Sequence, residues 1–176
     1  MLSFLALAAF GQVAPVSLTS SAGVVTALPP KGTNSLTFFV SVDCPIANRY
    51  APEIKRISES AAKRKVAVYL VYAGEGVLAK EVEEHRKAYG YSMPGLLDPK
   101  FEWVKSVNAT VTPEAVLIDK KGAIRYQGRI DDLYSSHGLA RTRATKFYLR
   151  NAIDALLAGK KPDPAYTAPI GCLIPR

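Results

Sequence analysis

The sequence predicts one α/β domain in which helices cover both faces of a central mixed β-sheet. Buried strand patterns alternate with amphipathic helix patterns, in the order β-β-α-β-α-α-β-β-α. The alternating βαβ units imply parallel core strands, whereas a late hairpin adds antiparallel ones. The length, 176 residues of which 48% are hydrophobic, is enough for one domain with a substantial core.

Composition excludes several classes of protein. Two cysteines are too few for a disulfide-built scaffold or for a zinc site made mainly of cysteine. The 23 basic and 15 acidic residues give a net charge of +8, which permits attraction to acidic partners. No stripe of aromatic and basic residues indicates nucleic-acid binding, so we interpret the basic residues as a solvated surface.

The N-terminal segment indicates where the protein acts. Residues 1–30 contain no charged side chain, and an apolar run from Leu2 to Phe10 suits the core of a secretory signal cleaved near Gly11. The basic residues that normally precede such a core are missing, and an N-terminal strand or helix is the alternative. We expect residues 1–17 to be a signal or an apolar N-terminal segment. If it is a signal, the protein is periplasmic or secreted and has no stable membrane insertion after processing. If it is not, we expect a cytoplasmic protein.

Hydrophobic patterning places the elements within residues 18–159, followed by a Pro-rich tail over residues 160–176. Strands are predicted at Leu18–Leu28 (an N-terminal strand or hairpin extension), Leu36–Val42, Val66–Tyr72, Ala115–Ile118 and Ile124–Ile130. Helices are predicted from Ile46 to Lys63, from Leu78 to Tyr89, through Trp103, and from Leu149 to Leu156. Asp98 and Pro99 are interpreted as the N-cap and first residue of the short third helix.

Cys44 directly follows a predicted buried strand and lies where the next helix begins. Free backbone N–H groups and the positive end of the helix dipole stabilise a thiolate at such a position. Pro45 suits the first helical turn, which needs no N–H donor. A cysteine packed in the middle of a strand would be inert, whereas this position favours a reactive one.

Four short motifs carry a family resemblance. Cys44-Pro45-Ile46-Ala47 occupies the place of a Cys-x-x-Cys motif, and Thr112-Pro113 precedes a late strand. From Ser35 to Gly159 the chain resembles the thioredoxin superfamily. Within it, residues 43–53, 112–115, 128–132 and 171–172 resemble bacterial redoxin-type proteins related to peroxiredoxins (AhpC/TSA-like). The resemblance implies a thioredoxin-like fold, a nucleophilic Cys44, and a cis Thr112–Pro113 bond.

The same resemblance implies a substrate-binding surface at Pro45, Thr112 and Pro113. It leaves the Thr112 backbone free to pair with an extended substrate. Implied partners are protein or small-molecule disulfides and thiols, together with an external reductant.

Departures from the family pattern restrict the mechanism. Ala47 replaces the second cysteine of a dithiol site, and Phe38 replaces a buried acid. The arginine that peroxiredoxins place at the late strand is missing among residues 113–115. A thiol peroxidase, the alternative function, would therefore depend on Ser41 and on Arg129 or Arg125 as supporting residues.

Cys172 lies 128 residues after Cys44, in a tail that can cross the surface. It is a candidate resolving thiol, and the alternatives are a free tail cysteine or one that pairs with another chain. No cofactor and no metal are expected: Asn48 and Thr112 stand where copper-chaperone relatives carry ligands, and His85 lies on an apolar helix face. We therefore predict a thiol–disulfide oxidoreductase with Cys44 and Cys172 as catalytic residues. A redox-inert binding module on the same fold is the second alternative.

Overall fold

The computed structural model describes residues 12–175. The strands in this range are β1 (Val16–Ser20), β2 (Val25–Leu28), β3 (Ser35–Val40), β4 (Ala67–Ala73), β5 (Gly95–Asp98), β6 (Val111–Thr112), β7 (Glu114–Ile118), β8 (Ile124–Gly128), β9 (Tyr134–Ser136), β10 (Leu139–Ala140), β11 (Tyr166–Thr167) and β12 (Cys172–Leu173). The helices are α1 (Pro45–Lys63), α2 (Ala79–Tyr89), α3 (Glu102–Val107) and α4 (Tyr148–Leu157).

Eight strands form the central sheet, in the order β11-β8-β7-β3-β4-β5-β1-β2. The pairs β3–β4, β4–β5 and β8–β11 are parallel, and the other pairs are antiparallel. The fold is therefore the predicted mixed α/β sheet. The N-terminal extension is the antiparallel hairpin β1–β2, which joins the sheet beside β5.

Apolar clusters cover both faces of this sheet. Phe38 and Phe39, neighbours in β3, are both fully buried, but they belong to different clusters because successive strand side chains point to opposite faces. Ile54 of α1 packs in the cluster of Phe38, and Trp103 of α3 packs in the cluster of Phe39. Burial on both faces explains why β3 is mostly apolar, with Ser35 and Thr37 also buried.

The prediction that Asp98 and Pro99 begin the third helix was wrong. Asp98 does not begin a helix, because it is the last residue of β5, a short buried strand that the pattern analysis missed. Helix α3 begins at Glu102 after Phe101, whose φ is 57°. The Asp98 carboxylate still caps this helix across the turn, accepting hydrogen bonds from the N–H groups of Glu102 at 2.7 Å and Val104 at 3.0 Å.

The Pro-rich tail is folded onto the domain. Its strand β11 pairs in parallel with β8, and β12 pairs antiparallel with β6. At the other end, the residues of the proposed signal up to position 11 lie outside the described residues, and β1 begins at Val16. Within residues 12–175, none of the helices combines the length and apolar character that crossing a membrane requires.

Candidate redox site

Cys44 is the N-cap residue of α1, at the end of the loop that leaves β3. Its backbone is extended, and its Sγ accepts a hydrogen bond from the Ala47 N–H at 3.4 Å. Pro45 occupies the first turn of the helix, where a missing N–H costs nothing. The free N–H groups of this turn would stabilise negative charge on the sulfur.

Cys44 is joined to Cys172 by a disulfide bond, with 6.0 Å between the two Cα atoms. That separation is typical of disulfides. Of the three states considered for Cys172, the structure shows the intramolecular bond rather than a free tail cysteine or a bond to another chain. The cysteine that replaces the missing local partner therefore comes from the other end of the chain.

Strand β12 delivers Cys172 to this position. Cys172 lies opposite Thr112 and Leu173 opposite Val111 in an antiparallel pair, and the Ile174 N–H donates to the Thr110 carbonyl at 3.0 Å. The backbone of Thr112 is thus occupied by the tail, and not free as the family resemblance implied. Ile174 is buried in the cluster of Trp103, so the tail also has its own contact with the core.

Gly171 is required by a close approach of two backbones. A Cβ added at Gly171 would lie 2.2 Å from the Thr112 carbonyl oxygen, and this obstacle is backbone that cannot move aside easily. Any larger residue would push the tail away from β6. The Gly-Cys pair of the tail is therefore matched to the turn that it covers.

The Thr112–Pro113 peptide bond is cis, as expected, and this turn faces the disulfide. The Cys44 Sγ lies 3.0 Å from the Thr112 carbonyl oxygen. A disulfide sulfur carries no proton, so this is a contact in the oxidised protein, whereas a reduced thiol could donate a hydrogen bond to the same oxygen. Pro45, Thr112 and Pro113 thus lie around the disulfide.

Glu114 is a buried residue of the site that the sequence analysis missed. Only 1% of it is exposed, and its carboxylate accepts hydrogen bonds from the Thr110 N–H at 2.8 Å and the Gln127 side-chain amide at 2.7 Å. The Thr110 hydroxyl and the Val111 N–H also donate to it. It holds β6 and the cis-proline turn in place. The feature of the sequence that could have revealed it is a carboxylate at the start of the otherwise apolar strand β7.

The three residues proposed to support peroxide chemistry make other contacts. The Ser41 hydroxyl accepts a hydrogen bond from the Asp43 N–H at 3.4 Å. Arg129 binds the tail, donating through Nε to the Ala168 carbonyl and through its backbone N–H to the Thr167 hydroxyl at 2.9 Å. Arg125 forms an ion pair with Asp119 at 3.3 Å. The polar contacts of the two arginines are thus with the tail and with Asp119.

A buried polar network lies behind the first turn of α1. His85 contacts the Tyr72 hydroxyl through Nδ1 and the Asn48 side-chain oxygen through Nε2, each at 2.9 Å. Asn48 in turn donates to the Val42 carbonyl at 3.0 Å, in the loop that carries Cys44. Burial lowers the pKa of His85, although the negative charge of Asp43 opposes this. His85 is therefore a buried, hydrogen-bonded histidine, as its place on an apolar helix face predicts.

The segment that follows β8 has a structural role. Asp132 accepts hydrogen bonds from the Thr145 N–H at 2.6 Å, the Thr145 hydroxyl at 2.7 Å and the Lys146 N–H at 2.8 Å. Burial alone would raise the pKa of Asp132, but these bonds and the nearby Arg141 guanidinium lower it to about 2. Its neighbour Asp131 accepts a hydrogen bond from Tyr50 of α1 at 2.6 Å. The two carboxylates fasten the loop over residues 133–147.

A mixed sheet with helices on both faces, and a cysteine at a helix N-terminus that faces a cis-proline turn, define a thioredoxin-like protein. A family model for redoxins matches residues 15–137, and the chain belongs to the redoxin family. Cys172 lies beyond the matched residues. The family and the bonded cysteine pair together support thiol–disulfide oxidoreductase activity in general.

Solved structures share the fold over most of the chain. An uncharacterized conserved protein from Geobacillus kaustophilus has a TM-score of 0.83 at 24% identity, covering 96% of this chain and 92% of its own. A hypothetical protein from Sinorhizobium meliloti 1021 has a TM-score of 0.82 at 26% identity, with coverages of 96% and 94%.

A secreted disulfide oxidoreductase of Mycobacterium tuberculosis, homologous to Escherichia coli DsbE, is similar over a smaller part of the chain. Its TM-score is 0.54 at 17% identity, and the match covers 62% of this chain and 79% of its own. Comparison with curated proteins found no match.

Proposed function

We propose that the protein is a thiol–disulfide oxidoreductase in which Cys44 is the nucleophile and Cys172 is the resolving cysteine. The observation that carries this proposal is the disulfide between a helix N-cap cysteine and a tail cysteine. Backbone N–H groups at the first turn of α1 favour the Cys44 thiolate, which is the attacking species in disulfide exchange. Pro45, Thr112 and Pro113 would position the substrate.

The reaction transfers two electrons in two exchange steps. The Cys44 thiolate attacks a substrate disulfide, so that a mixed disulfide forms and one substrate thiolate leaves. The Cys172 thiolate then attacks Cys44 Sγ, which releases the second substrate thiol and forms the Cys44–Cys172 bond. The substrate disulfide has gained two electrons, and the protein has lost them.

An external thiol must return the protein to its reduced state, and the structure favours one sulfur for its attack. Cys44 is only 2% exposed, whereas Cys172 is partly exposed. Attack on Cys172 releases the Cys44 thiolate, the leaving group that the helix N-terminus stabilises best. A second thiol of the reductant then frees Cys172, which balances the cycle.

An extracytoplasmic location suits this chemistry. A disulfide persists in oxidising compartments, and one structural neighbour is a secreted disulfide oxidoreductase. The apolar run near the N-terminus fits a secretory signal. We therefore place the protein in the periplasm or outside the cell, and sequencing the N-terminus of the exported protein tests this.

Mass spectrometry after reaction with 2-hydroxyethyl disulfide tests the proposed roles. We expect the reduced wild-type protein to become a monomer two hydrogens lighter, through the intramolecular bond. Cys172→Ser should instead accumulate a mixed disulfide on Cys44, and Cys44→Ser should lose at least nine-tenths of the exchange rate. If Cys44→Ser keeps its rate, or Cys172→Ser still forms the lighter species, the assignment is wrong.

Stopped-flow oxidation separates disulfide exchange from the peroxidase alternative. With Arg129 and Arg125 bonded elsewhere, we expect hydrogen peroxide to oxidise Cys44 no faster than a free thiol of equal pKa. A rate orders of magnitude faster would identify a peroxidase instead.

The pKa of the Cys44 thiol, measured in Cys172→Ser, tests the redox-inert binding module. An ordinary thiol pKa of about 8.5 would favour that alternative.

A further inference from the structure

We infer that a groove between α1 and the loop over residues 133–147, the anion groove, binds the carboxylate of a small thiol or disulfide. The sulfur of this molecule exchanges with Cys44 while its carboxylate lies against Arg49 and Arg143. The inference rests on the proposed function and names its substrate class, a low-molecular-weight organic anion. The groove is built from side chains of α1 and of the loop, and not from the backbone at the cis-proline turn.

The anion groove has the size and the lining of a small-molecule site. Its volume is about 500 Å³, within the range that is usual for such sites. Pro52 and Phe147 contribute apolar surface, whereas Arg49, Arg56 and Arg143 contribute positive charge. Such a combination suits an organic molecule that has both an apolar body and an anionic group.

Two of these arginines carry charge that no acidic side chain of the described residues neutralises. Arg56 forms an ion pair with Glu53 at 2.7 Å. The ion pairs formed within residues 12–175 involve neither Arg49 nor Arg143. Because a guanidinium group binds a carboxylate through paired hydrogen bonds, these two side chains are the natural partners of a bound anion.

The acidic side chains that line the anion groove already have other partners. The Glu53 carboxylate binds Arg56 and also Arg150 of α4, each at 2.7 Å. Asp131 is buried and accepts a hydrogen bond from the Tyr50 hydroxyl at 2.6 Å. The charge left at the groove is therefore positive, which favours an anion and disfavours a cation.

Contacts within the protein hold both arginines at the groove. The Arg49 guanidinium carbon lies 5.8 Å from the centre of the Tyr134 ring, a cation–π arrangement. Asp132 accepts a hydrogen bond from the Thr145 N–H at 2.6 Å, which fastens the loop two residues after Arg143. Cations that are positioned before binding lose less conformational entropy when the anion arrives.

The anion groove is near enough to Cys44 for one small molecule to reach both. Arg49 follows Cys44 by five residues, a rise of about 7.5 Å along the axis of α1. Tyr50 lines the groove and also a smaller cavity bordered by Pro113. When the Cys44 thiolate attacks a disulfide bound there, one half leaves as a thiolate. The other half stays bonded to Cys44, with its carboxylate in the groove, until Cys172 displaces it as a thiol.

Disulfides of different charge test this inference on the reduced full chain with Cys172→Ser, in which Cys44 is the single thiol. The probes are 3,3′-dithiodipropionate, a dianion, the neutral 2-hydroxyethyl disulfide, and cystamine, a dication. Each rate is divided by the rate of the same probe with 2-mercaptoethanol, which corrects for intrinsic reactivity. In about 0.15 M salt, which screens distant charges, we expect the dianion to react about tenfold faster than the neutral probe and the dication to react slowest. Equal corrected rates would overturn the inference.

Substitution of the two arginines shows whether the groove causes the preference. Arg49→Gln together with Arg143→Gln should remove most of the advantage of the dianion. Lys63→Gln together with Arg64→Gln is the matched control, because it removes two charges at the far end of α1 and should keep the advantage. Ratios of rates are compared, since loss of a cation near Cys44 changes its thiolate population for every probe. Equal losses in the two variants would show that net charge, and not the groove, attracts the dianion.

A ligand that cannot exchange tests the anion groove without the redox reaction. The thioether 3,3′-thiodipropionate should bind the oxidised wild-type protein in a calorimetric titration. We expect Arg49→Gln with Arg143→Gln to weaken this binding about tenfold, because charge-assisted hydrogen bonds are lost. No binding, or binding that the two substitutions leave unchanged, would contradict the assignment.

The neutral probe distinguishes the two levels of failure. If Cys44 does not react even with 2-hydroxyethyl disulfide, the proposed function fails. If Cys44 reacts with this probe and the dianion has no advantage over it, only the anion groove is wrong.

Discussion

At the scale of single residues, buried polar side chains hold the two parts of the redox site in place. One part is the cis-proline turn with β6, and the other is the start of α1 with Cys44. Glu114 accepts hydrogen bonds from four donors around β6, and His85 links β4 to the first turns of α1. Each is surrounded by apolar residues, so an unmade hydrogen bond there costs far more than one at the surface. The positions of the cis-proline turn and of Cys44 therefore depend on these networks.

Glu114→Gln should destabilise the protein by about 2 kcal/mol, since the charge is lost and the new amide faces the Gln127 amide donor. Urea denaturation followed by the fluorescence of the single tryptophan, Trp103, measures this change. Glu84→Gln, on the exposed face of α2, is the control and should cost less than about 0.5 kcal/mol. Equal effects of the two substitutions would show that Glu114 does not anchor β6.

His85 predicts a pH dependence of stability. Burial lowers the pKa of His85 in the folded protein below its unfolded value near 6.5. As the pH falls below about 7, the unfolded chain binds the proton first, so the stability contributed by the neutral histidine is lost progressively. Its slope has an upper limit of about 1.4 kcal/mol per pH unit.

Urea midpoints between pH 7.5 and 5 measure this slope. We expect His85→Gln to flatten it, whereas substitution of the exposed His137 by Gln should preserve it. A slope that survives His85→Gln must come from other groups.

At the scale of elements, one loop and one short strand complete the site through contacts with the rest of the domain. The loop over residues 133–147 is attached through Asp132 to the N–H groups of Thr145 and Lys146. Strand β12 consists of two residues and depends on β6 for its hydrogen bonds. Such short elements have little stability of their own and follow the side chains and strands that hold them.

Asp132→Asn should loosen the loop at a cost of about 1–2 kcal/mol, because charge-assisted hydrogen bonds are lost. The amides of Thr145 and Lys146 should then exchange with deuterium about tenfold faster, which NMR or mass spectrometry detects. Asp154→Asn, which removes a surface ion pair with Arg64, should leave these amides unchanged. Unchanged exchange in Asp132→Asn would show that the loop is held by other contacts.

The stability that the Asp132 carboxylate contributes should be lost in acid. The folded pKa of Asp132 is about 2, below the ordinary value of 3.8. Its contribution is present above about pH 4 and is lost as the pH falls through 2. The difference in stability between the wild type and Asp132→Asn should therefore shrink over this window, and a constant difference would contradict the assignment.

At the scale of the whole molecule, the disulfide ties the first helix to the end of the chain. The bonded cysteines are 128 residues apart, so the bond closes most of the sequence into one loop. Constraining so long a loop removes much of the conformational entropy of the unfolded chain. Redox state and stability are therefore coupled in this protein.

Reduction of the Cys44–Cys172 bond should lower the free energy of unfolding by about 4–5 kcal/mol. Urea curves with and without a dithiol reductant measure the change. The Cys44→Ser, Cys172→Ser double variant should unfold near the reduced midpoint and should not respond to the reductant. If reduction leaves the urea midpoint of the wild-type protein unchanged, the bond does not stabilise the protein in solution.

Local patterns determined the main framework of this protein. The mostly apolar run of β3, the helical spacing of α1 and the place of Cys44 between them could be predicted, because each depends on neighbours within a few residues. The same is true of the burial of His85, which follows from its position on an apolar helix face.

Only the tertiary structure decided how the distant parts meet. Strand β5 has four residues and β12 has two, which is too short for a periodic pattern to be distinguished from a loop. The Cys44–Cys172 bond, the pairing of Thr112 with Cys172 and the hydrogen bond from Gln127 to Glu114 join residues whose proximity no local pattern encodes. They depend on the whole fold, because the sheet brings β6 beside the start of α1 and the folded domain supplies the hydrogen bonds and the apolar pocket that hold the tail.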